Sequence, residues 1–205
     1  MANTITLLRF PLLFLYVALL YYGNFTVRLW CVPFILLIIL MDSVDGIIAR
    51  ARGETSLLGS ALDIATDRTL EVMLWVVFAH LRLIPVIVPL IFIVRGTTVD
   101  AIRAVGMSSG KPPFEQLRSP LSRFLVASRF MRSSFGFIKA MAFALLTADL
   151  ALHTPNAPWT SWQHPIHVLA LAFTWAAVLW SLARGIPVLA EGVSLLKEPP
   201  QGAAH

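Results

Sequence analysis

The chain has 205 residues, of which 58% are hydrophobic and only 13% are charged, and its mean hydropathy is +0.77. Soluble domains carry about 45–50% apolar and about 25% charged residues, so this composition predicts an integral membrane protein and leaves little room for a separate soluble domain. The net charge of +5 would allow a nucleic-acid partner in a soluble protein. Here the basic residues lie mainly between apolar runs, so contact with anionic lipid is the better interpretation.

The apolar runs predict an all-α, polytopic integral membrane protein with about six transmembrane helices. A membrane-spanning helix needs about 20 mainly apolar residues. The first helix should end near Tyr22, because Gly23 and Asn24 interrupt the apolar pattern. The other five are expected over approximately residues 30–53, 56–79, 83–105, 135–150 and 166–188.

The distribution of Lys and Arg predicts which side of the membrane each connection faces. Basic residues end the second span, lie at and after the end of the sixth, and fill the connection over residues 111–132. The connection over residues 147–165 contains neither Lys nor Arg. With six spans, all the basic segments lie on one side, which we expect to be cytoplasmic, together with both termini.

Four carboxylates lie in or beside strongly apolar sequence, where charge is costly and usually serves a function. Asp42 and Asp45 are three residues apart at the end of the second span, so they lie on adjacent turns of one helix face. In the third span, Gly59, Asp63 and Asp67 form an i, i+4, i+8 row. A short connection makes the two helices antiparallel neighbours, which allows all four carboxylates to meet near the cytoplasmic face.

Converging carboxylates repel one another unless cations neutralise them, and hard oxygen ligands suit Mg²⁺, Mn²⁺ or Ca²⁺. Two close metal ions could share the four groups and act on both sides of a phosphoryl displacement. Gly46, Ala49 and Gly59 leave room for a substrate beside the helix backbone, and Arg50 offers a planar fork for phosphate oxygens. Such acids could instead be polar helix-packing contacts or an ion relay in a transporter. The relay has no use for these small residues and this arginine at these spacings.

The stretch Asp42-Ser-Val-Asp-Gly-Ile-Ile-Ala-Arg, followed by Gly59-Ser-Ala-Leu-Asp63-Ile-Ala-Thr-Asp67, resembles the signature of the CDP-alcohol phosphotransferase family. The resemblance implies a single transmembrane CDP-alcohol phosphotransferase domain over residues 1–205, which transfers a phosphatidyl group from CDP-diacylglycerol to a small alcohol and releases CMP. It also implies a homodimer among membrane lipids, in a bacterial inner membrane, with the active site facing the cytoplasm.

The same resemblance implies roles for the residues that match the signature. Two Mg²⁺ or Mn²⁺ ions would be bound by Asp42, Asp45, Asp63 and Asp67. Asp67 would also be the general base. The CDP portion would contact Asp45, Gly46, Ala49, Arg50, Gly59 and Asp63.

A second resemblance concerns the acceptor alcohol. The opening Ala2-Asn-Thr-Ile-Thr-Leu-Leu-Arg9 is similar to the Pro-Asn-x-Ile-Thr-x-x-Arg opening of phosphatidylglycerophosphate synthases, although the proline is absent. A phosphorylated acceptor such as glycerol 3-phosphate needs cations nearby, and Arg95, Lys139 and Arg184 are favoured because they lie within apolar stretches. Inositol phosphate, inositol, serine and phosphatidylglycerol are alternative acceptors, and an ion-coupled membrane transporter is the alternative from a different class.

Overall fold

The computed structural model describes the backbone of residues 2–52, 57–108, 124–125 and 128–196, and the side chains of residues 8–41, 59, 64–102, 124–125, 128 and 130–190. Over these ranges the chain is helical and contains no β-strand, which confirms the predicted all-α fold. The α-helices with described bounds are α1 (Ala2–Tyr22), α2 (Phe25–Arg52), α3 (Leu57–His80), α4 (Ile87–Ser108), α5 (Arg129–Leu152) and α6 (Gln163–Leu196). A 3-10 turn over Thr160–Trp162 precedes α6.

Capping side chains explain why α2 and α5 begin earlier than the apolar pattern predicts. Asn24 Oδ1 accepts a hydrogen bond from the backbone N–H of Val27 at 3.0 Å, so α2 begins at Phe25. In the same way, Ser128 Oγ accepts from the N–H of Met131 at 3.2 Å at the start of α5. These bonds satisfy amide groups that have no partner inside the helix.

Proline and a left-handed residue define the connection between α3 and α4. The N–H groups of Arg82 and Leu83 donate to the carbonyls of Ala79 and Phe78 at 3.0 and 3.1 Å, and Arg82 has a φ of 60°. This is the hydrogen-bond pattern of a Schellman motif, here with arginine at the position that glycine usually occupies. Helix α4 then begins at Ile87 rather than near residue 83, because Pro85 disfavours the helical conformation in the residue before it.

Apolar helix surfaces are consistent with a membrane environment. Within the described parts of the chain, Phe130–Leu152 and Thr160–Ala190 are long and apolar enough to cross a membrane. Among the described side chains, shorter apolar stretches cover Leu8–Tyr22 and Phe25–Met41. Large apolar side chains are exposed on several helices, among them Phe14, Trp30, Ile64, Val94, Phe130 and Leu179. These features are those of an α-helical membrane protein, in which exposed apolar side chains can face lipid.

The chain forms two compact units. The first unit contains the described residues of Met1–Pro89 and Ile138–Trp175. The second contains those of Leu90–Phe137 and Ala176–His205. The unit boundaries fall inside α4, α5 and α6 rather than in the connections between helices.

The core of the first unit is organised around α1, which packs against both α2 and α3. Leu13, Tyr16 and Leu20 are fully buried and lie on one helix face, because they are spaced by three and four residues. The hydroxyl groups of Tyr16 and Thr147 form a buried hydrogen bond of 2.6 Å, which attaches α1 to α5. This contact satisfies two polar groups that would be costly to bury alone.

The core of the second unit contains Val99 of α4 and Val188 of α6, which are both buried. In the same unit, the indole N–H of Trp180 donates to the backbone carbonyl of Met131 at 3.3 Å. These contacts attach the first part of α5 and the second part of α4 to α6.

Candidate active site

The acidic motif lies on α2 and α3, whose backbones are helical through all of its positions. Asp42 and Asp45 are separated by one turn near the end of α2, about 4.5 Å along the helix axis. On α3, Gly59, Asp63 and Asp67 extend over about 12 Å of the axis. The helical spacing on which the sequence argument depends is therefore present in the structure.

Most of the motif's side chains lie outside the described part of the chain. These are the side chains of Asp42, Asp45, Ala49, Arg50 and Asp63, and Gly46 lies in the same segment. The convergence of the four carboxylates therefore stays a prediction. The contacts of the CDP-binding residues also stay predictions. No three His, Cys, Asp or Glu residues among the described side chains are grouped to hold a metal ion. Of the four predicted ligands, only Asp67 has a described side chain.

Asp67 is the acid of the motif whose surroundings are described. Its side chain is 48% exposed, and its Oδ1 accepts a hydrogen bond from Nη2 of Arg9 at 2.7 Å. The arginine side chain is 3% exposed, so a buried cation holds one oxygen of a carboxylate that reaches the protein surface. A carboxylate has lone pairs for several partners, so the same group can hold a hard cation or accept a proton.

One turn further along α3, Glu71 forms a second ion pair. Its Oε1 accepts from Nζ of Lys139 at 3.0 Å, and its Oε2 lies 3.6 Å from Nη1 of Arg68. The side chains of Glu71 and Lys139 are 10% and 22% exposed. Asp67 and Glu71 lie on the same face of α3, since they are four residues apart. Lys139 of α5 therefore contacts α3, the helix that carries the candidate base.

The other two predicted acceptor-binding residues, Arg95 and Arg184, belong to the second unit. The guanidinium carbon of Arg184 lies 5.3 Å from the ring centroid of Phe135, a cation–π arrangement. Arg95 passes so close to Gly185 that a Cβ atom there would lie 2.8 Å from Arg95 Cγ. Gly185 and Arg184 are adjacent on α6, so Arg95 and Arg184 are neighbours within this unit.

Two functional candidates gain importance from the structure. In the sequence, Arg9 is part of a resemblance only, and Glu71 is an acid one turn beyond Asp67 to which no role was assigned. The sequence feature that could have identified them is that both are charged residues close to apolar sequence. The sequence could not indicate that Arg9 pairs with Asp67, because 58 positions separate them.

A separate polar cluster lies at the end of α5 and the start of α6. The fully buried carboxylate of Asp149 lies 3.1 Å from Nδ1 of His153 and 2.8 Å from Nδ1 of His167. Lys139 and Asp149 are ten residues apart on α5, about 15 Å along its axis. The buried aspartate connects α5 to His167 of α6.

Comparison with known proteins identifies the family of this chain. The family model for CDP-alcohol phosphatidyltransferases matches residues 1–183. The match includes all of α1 to α5 and most of α6, and so every predicted site residue except Arg184. No curated protein matches the chain.

Proposed function

Since the chain belongs to the CDP-alcohol phosphatidyltransferase family, whose members are transferases for substituted phosphate groups, we propose that it transfers a phosphatidyl group from CDP-diacylglycerol to glycerol 3-phosphate. The acceptor hydroxyl attacks the phosphorus atom that carries the diacylglycerol. A new P–O bond forms, the bond to CMP breaks, and CMP leaves. The hydroxyl proton passes to the carboxylate of Asp67, which acts as the general base.

The observation that carries this proposal is the position of Asp67. A general base must reach the substrate and must also be held in a defined orientation. The carboxylate of Asp67 is 48% exposed, and its ion pair with the buried Arg9 fixes one of its oxygens. It lies on the same helix as Gly59 and Asp63 of the motif.

We assign the remaining motif residues to the metal ions and the CDP group. The family is generally dependent on divalent metal ions. The carboxylates of Asp42, Asp45, Asp63 and Asp67 are a hard-oxygen donor set, which fits two Mg²⁺ or Mn²⁺ ions. When bound, these ions neutralise the pyrophosphate and stabilise CMP as it leaves. The assigned CDP contacts are Asp45, Gly46, Ala49, Arg50, Gly59 and Asp63.

A phosphorylated acceptor is favoured because several cations lie within apolar helices. Lys139 keeps a partner in Glu71, but an ammonium group has three N–H donors and can contact a phosphate as well. Arg95 and Arg184 would supply further contacts to the phosphate group. Inositol phosphate would use the same cations, whereas inositol and serine would not need them. Phosphatidylglycerol is a further acceptor to be compared.

We further propose that residues 1–205 form a single catalytic domain and that two copies associate as a homodimer. The family match supports the single domain, because residues 1–183 include parts of both compact units. We place the protein in a bacterial inner membrane with the acidic motif facing the cytoplasm. The support for this orientation is the absence of Lys and Arg from residues 147–165, which include the connection between α5 and α6.

CMP release tests the proposed reaction. Purified protein in lipid nanodiscs would receive CDP-diacylglycerol, Mg²⁺ or Mn²⁺, and each acceptor in turn. We expect CMP and a lipid product with glycerol 3-phosphate, and no turnover when EDTA replaces the metal. Release of no CMP with any acceptor, from protein that unfolds cooperatively, would contradict the proposal.

The Asp67→Asn variant tests the base. It should lower kcat by about 10²–10⁴-fold, the usual contribution of general acid–base catalysis. Binding of CDP-diacylglycerol should largely persist, as measured by titration. If the variant keeps wild-type turnover, Asp67 is not the base.

A further inference from the structure

Arg9 is a buried cation in an otherwise apolar part of α1. Its residue is 2% exposed, and such burial of a guanidinium is costly unless the charge is paired. Its Nη2 donates to Asp67 Oδ1 at 2.7 Å, a distance typical of a charge-assisted hydrogen bond. A bond of this kind is stronger than one between neutral groups and has a defined direction.

Helix α1 holds Arg9 in place through its own packing. Arg9, Leu13, Tyr16 and Leu20 are all buried and lie on one face, since they are spaced by four, three and four residues. The hydrogen bond between Tyr16 and Thr147 fixes the rotation of this helix. The arginine is therefore the polar end of a buried row, and the core of the first unit directs it towards α3.

Asp67 lacks a comparable restraint from burial. Its side chain is about half exposed, whereas Glu71, one turn away, is 10% exposed and pairs with Lys139. An exposed aspartate explores several side-chain rotamers, and only some of them direct an oxygen at the acceptor hydroxyl. The bond from Arg9 selects among these rotamers without covering the carboxylate.

We propose that Arg9 is a positioning residue for the reaction, which holds the carboxylate of Asp67 in the orientation needed to accept the hydroxyl proton. This inference rests on the proposed function, because it requires Asp67 to be the base. Arg9 acts through Asp67, so its removal should change the rate of the chemical step and leave substrate binding nearly unchanged.

Substitution of Arg9 tests this inference in the nanodisc assay. We expect Arg9→Gln to lower kcat by about 10–100-fold, the range expected when a catalytic group is displaced by about 1 Å. The KM values for CDP-diacylglycerol and for the acceptor should change less than threefold. Arg9→Lys keeps the cation, so it should recover at least part of the lost kcat.

Arg28 provides a matched control. It is an arginine of the same unit whose guanidinium donates to the carbonyls of Leu20 and Tyr21 and to Thr154 Oγ1. Arg28→Gln removes a part-buried arginine of α2 that contacts the end of α1 remote from Arg9. This variant should lower thermal stability to a similar extent as Arg9→Gln while kcat stays within about twofold of wild type.

The outcomes separate the inference from the proposed function. If the wild type releases no CMP with any acceptor, the proposed function fails and the inference fails with it. If the wild type is active and Arg9→Gln retains its kcat, only the inference is overturned. The inference is overturned as well if Arg9→Lys is as slow as Arg9→Gln, or if Arg28→Gln loses as much kcat. If Arg9→Gln does not fold, the kcat values of Arg9→Lys and of the double variant Arg9→Lys/Asp67→Asn test the inference. A positioning role predicts that the double variant loses no more kcat than Asp67→Asn alone.

Discussion

The ion pair between Lys139 and Glu71 allows two roles for the lysine to be separated. The sequence assigns Lys139 to the acceptor phosphate, whereas the structure shows it paired with Glu71 at 3.0 Å. Lys139→Met removes the cation and keeps much of the apolar stem. The carboxylate of Glu71, which is 10% exposed, then keeps only Arg68, at 3.6 Å, among its described ionic partners.

The size of the effect follows from the burial of the pair. Breaking a fully buried ion pair costs about 3–5 kcal/mol, and an exposed pair contributes about 0–1 kcal/mol. Lys139 is 22% exposed and Arg68 offers partial compensation, so we expect Lys139→Met to lower stability by about 2–3 kcal/mol. For a chain of this length, that corresponds to a decrease in Tm of about 4–12 °C. The double variant Glu71→Gln/Lys139→Met removes both charges and should recover most of this loss.

Thermal unfolding and acceptor kinetics of the single and double variants complete the assay. If Lys139 contacts the acceptor phosphate, the KM for glycerol 3-phosphate stays raised by at least tenfold in the double variant, although stability has recovered. If the lysine serves only Glu71, KM recovers with stability. A Tm of Lys139→Met equal to that of the wild type would refute the reasoning about the buried pair.

Two further predictions concern the second unit and the orientation in the membrane. Gly185→Ala places a Cβ atom 2.8 Å from Arg95 Cγ, so the side chain of Arg95 must move. The KM for glycerol 3-phosphate should then rise by about 10-fold, because the loss of one binding contact of about 1.4 kcal/mol changes an equilibrium constant by that factor. Gly136→Ala is the control for Gly185→Ala, because a Cβ atom at residue 136 meets no atom within 4 Å. If both variants keep the wild-type KM for glycerol 3-phosphate, the role of Arg95 is contradicted. Ser161→Cys introduces an exposed thiol before α6, which a membrane-impermeant maleimide should label from outside intact cells, while the buried Cys31 leaves the wild type unlabelled. If Ser161→Cys is labelled only after the membrane is opened, the predicted orientation is wrong.

The helices were predictable because a membrane imposes a simple rule on the sequence. Apolar runs of sufficient length must form helices, since lipid offers no partner for backbone N–H and C=O groups. The ends of the helices were harder to place. Asn24 and Ser128 begin α2 and α5 before the predicted starts at residues 30 and 135, and this capping depends on side-chain geometry rather than on hydropathy.

The candidate site was predictable where its chemistry is local and hidden where it depends on tertiary contacts. The spacing from Gly59 to Asp67 identifies one helix face without reference to any other helix. The partners of Asp67 and Glu71 come from α1 and α5, across 58 and 68 positions of the chain. Apolar periodicity places these helices in the membrane but leaves their rotation and neighbours undetermined, so it could not pair the charges.

The pairing of charges on α3 also constrains how the acidic motif can work. Asp67 and Glu71 are each held by a basic residue from another helix, and Arg68 adds a third cation to the two carboxylates. Among the described side chains, three cations therefore accompany two carboxylates in this part of the first unit, and its local charge is positive before any metal binds. The predicted ligands on α2 and Asp63 would reverse that balance and repel a pyrophosphate, because like charges at short range are unfavourable. Divalent cations at the four motif aspartates would remove this repulsion, so we expect the affinity for CDP-diacylglycerol to depend on metal more strongly than the affinity for the acceptor.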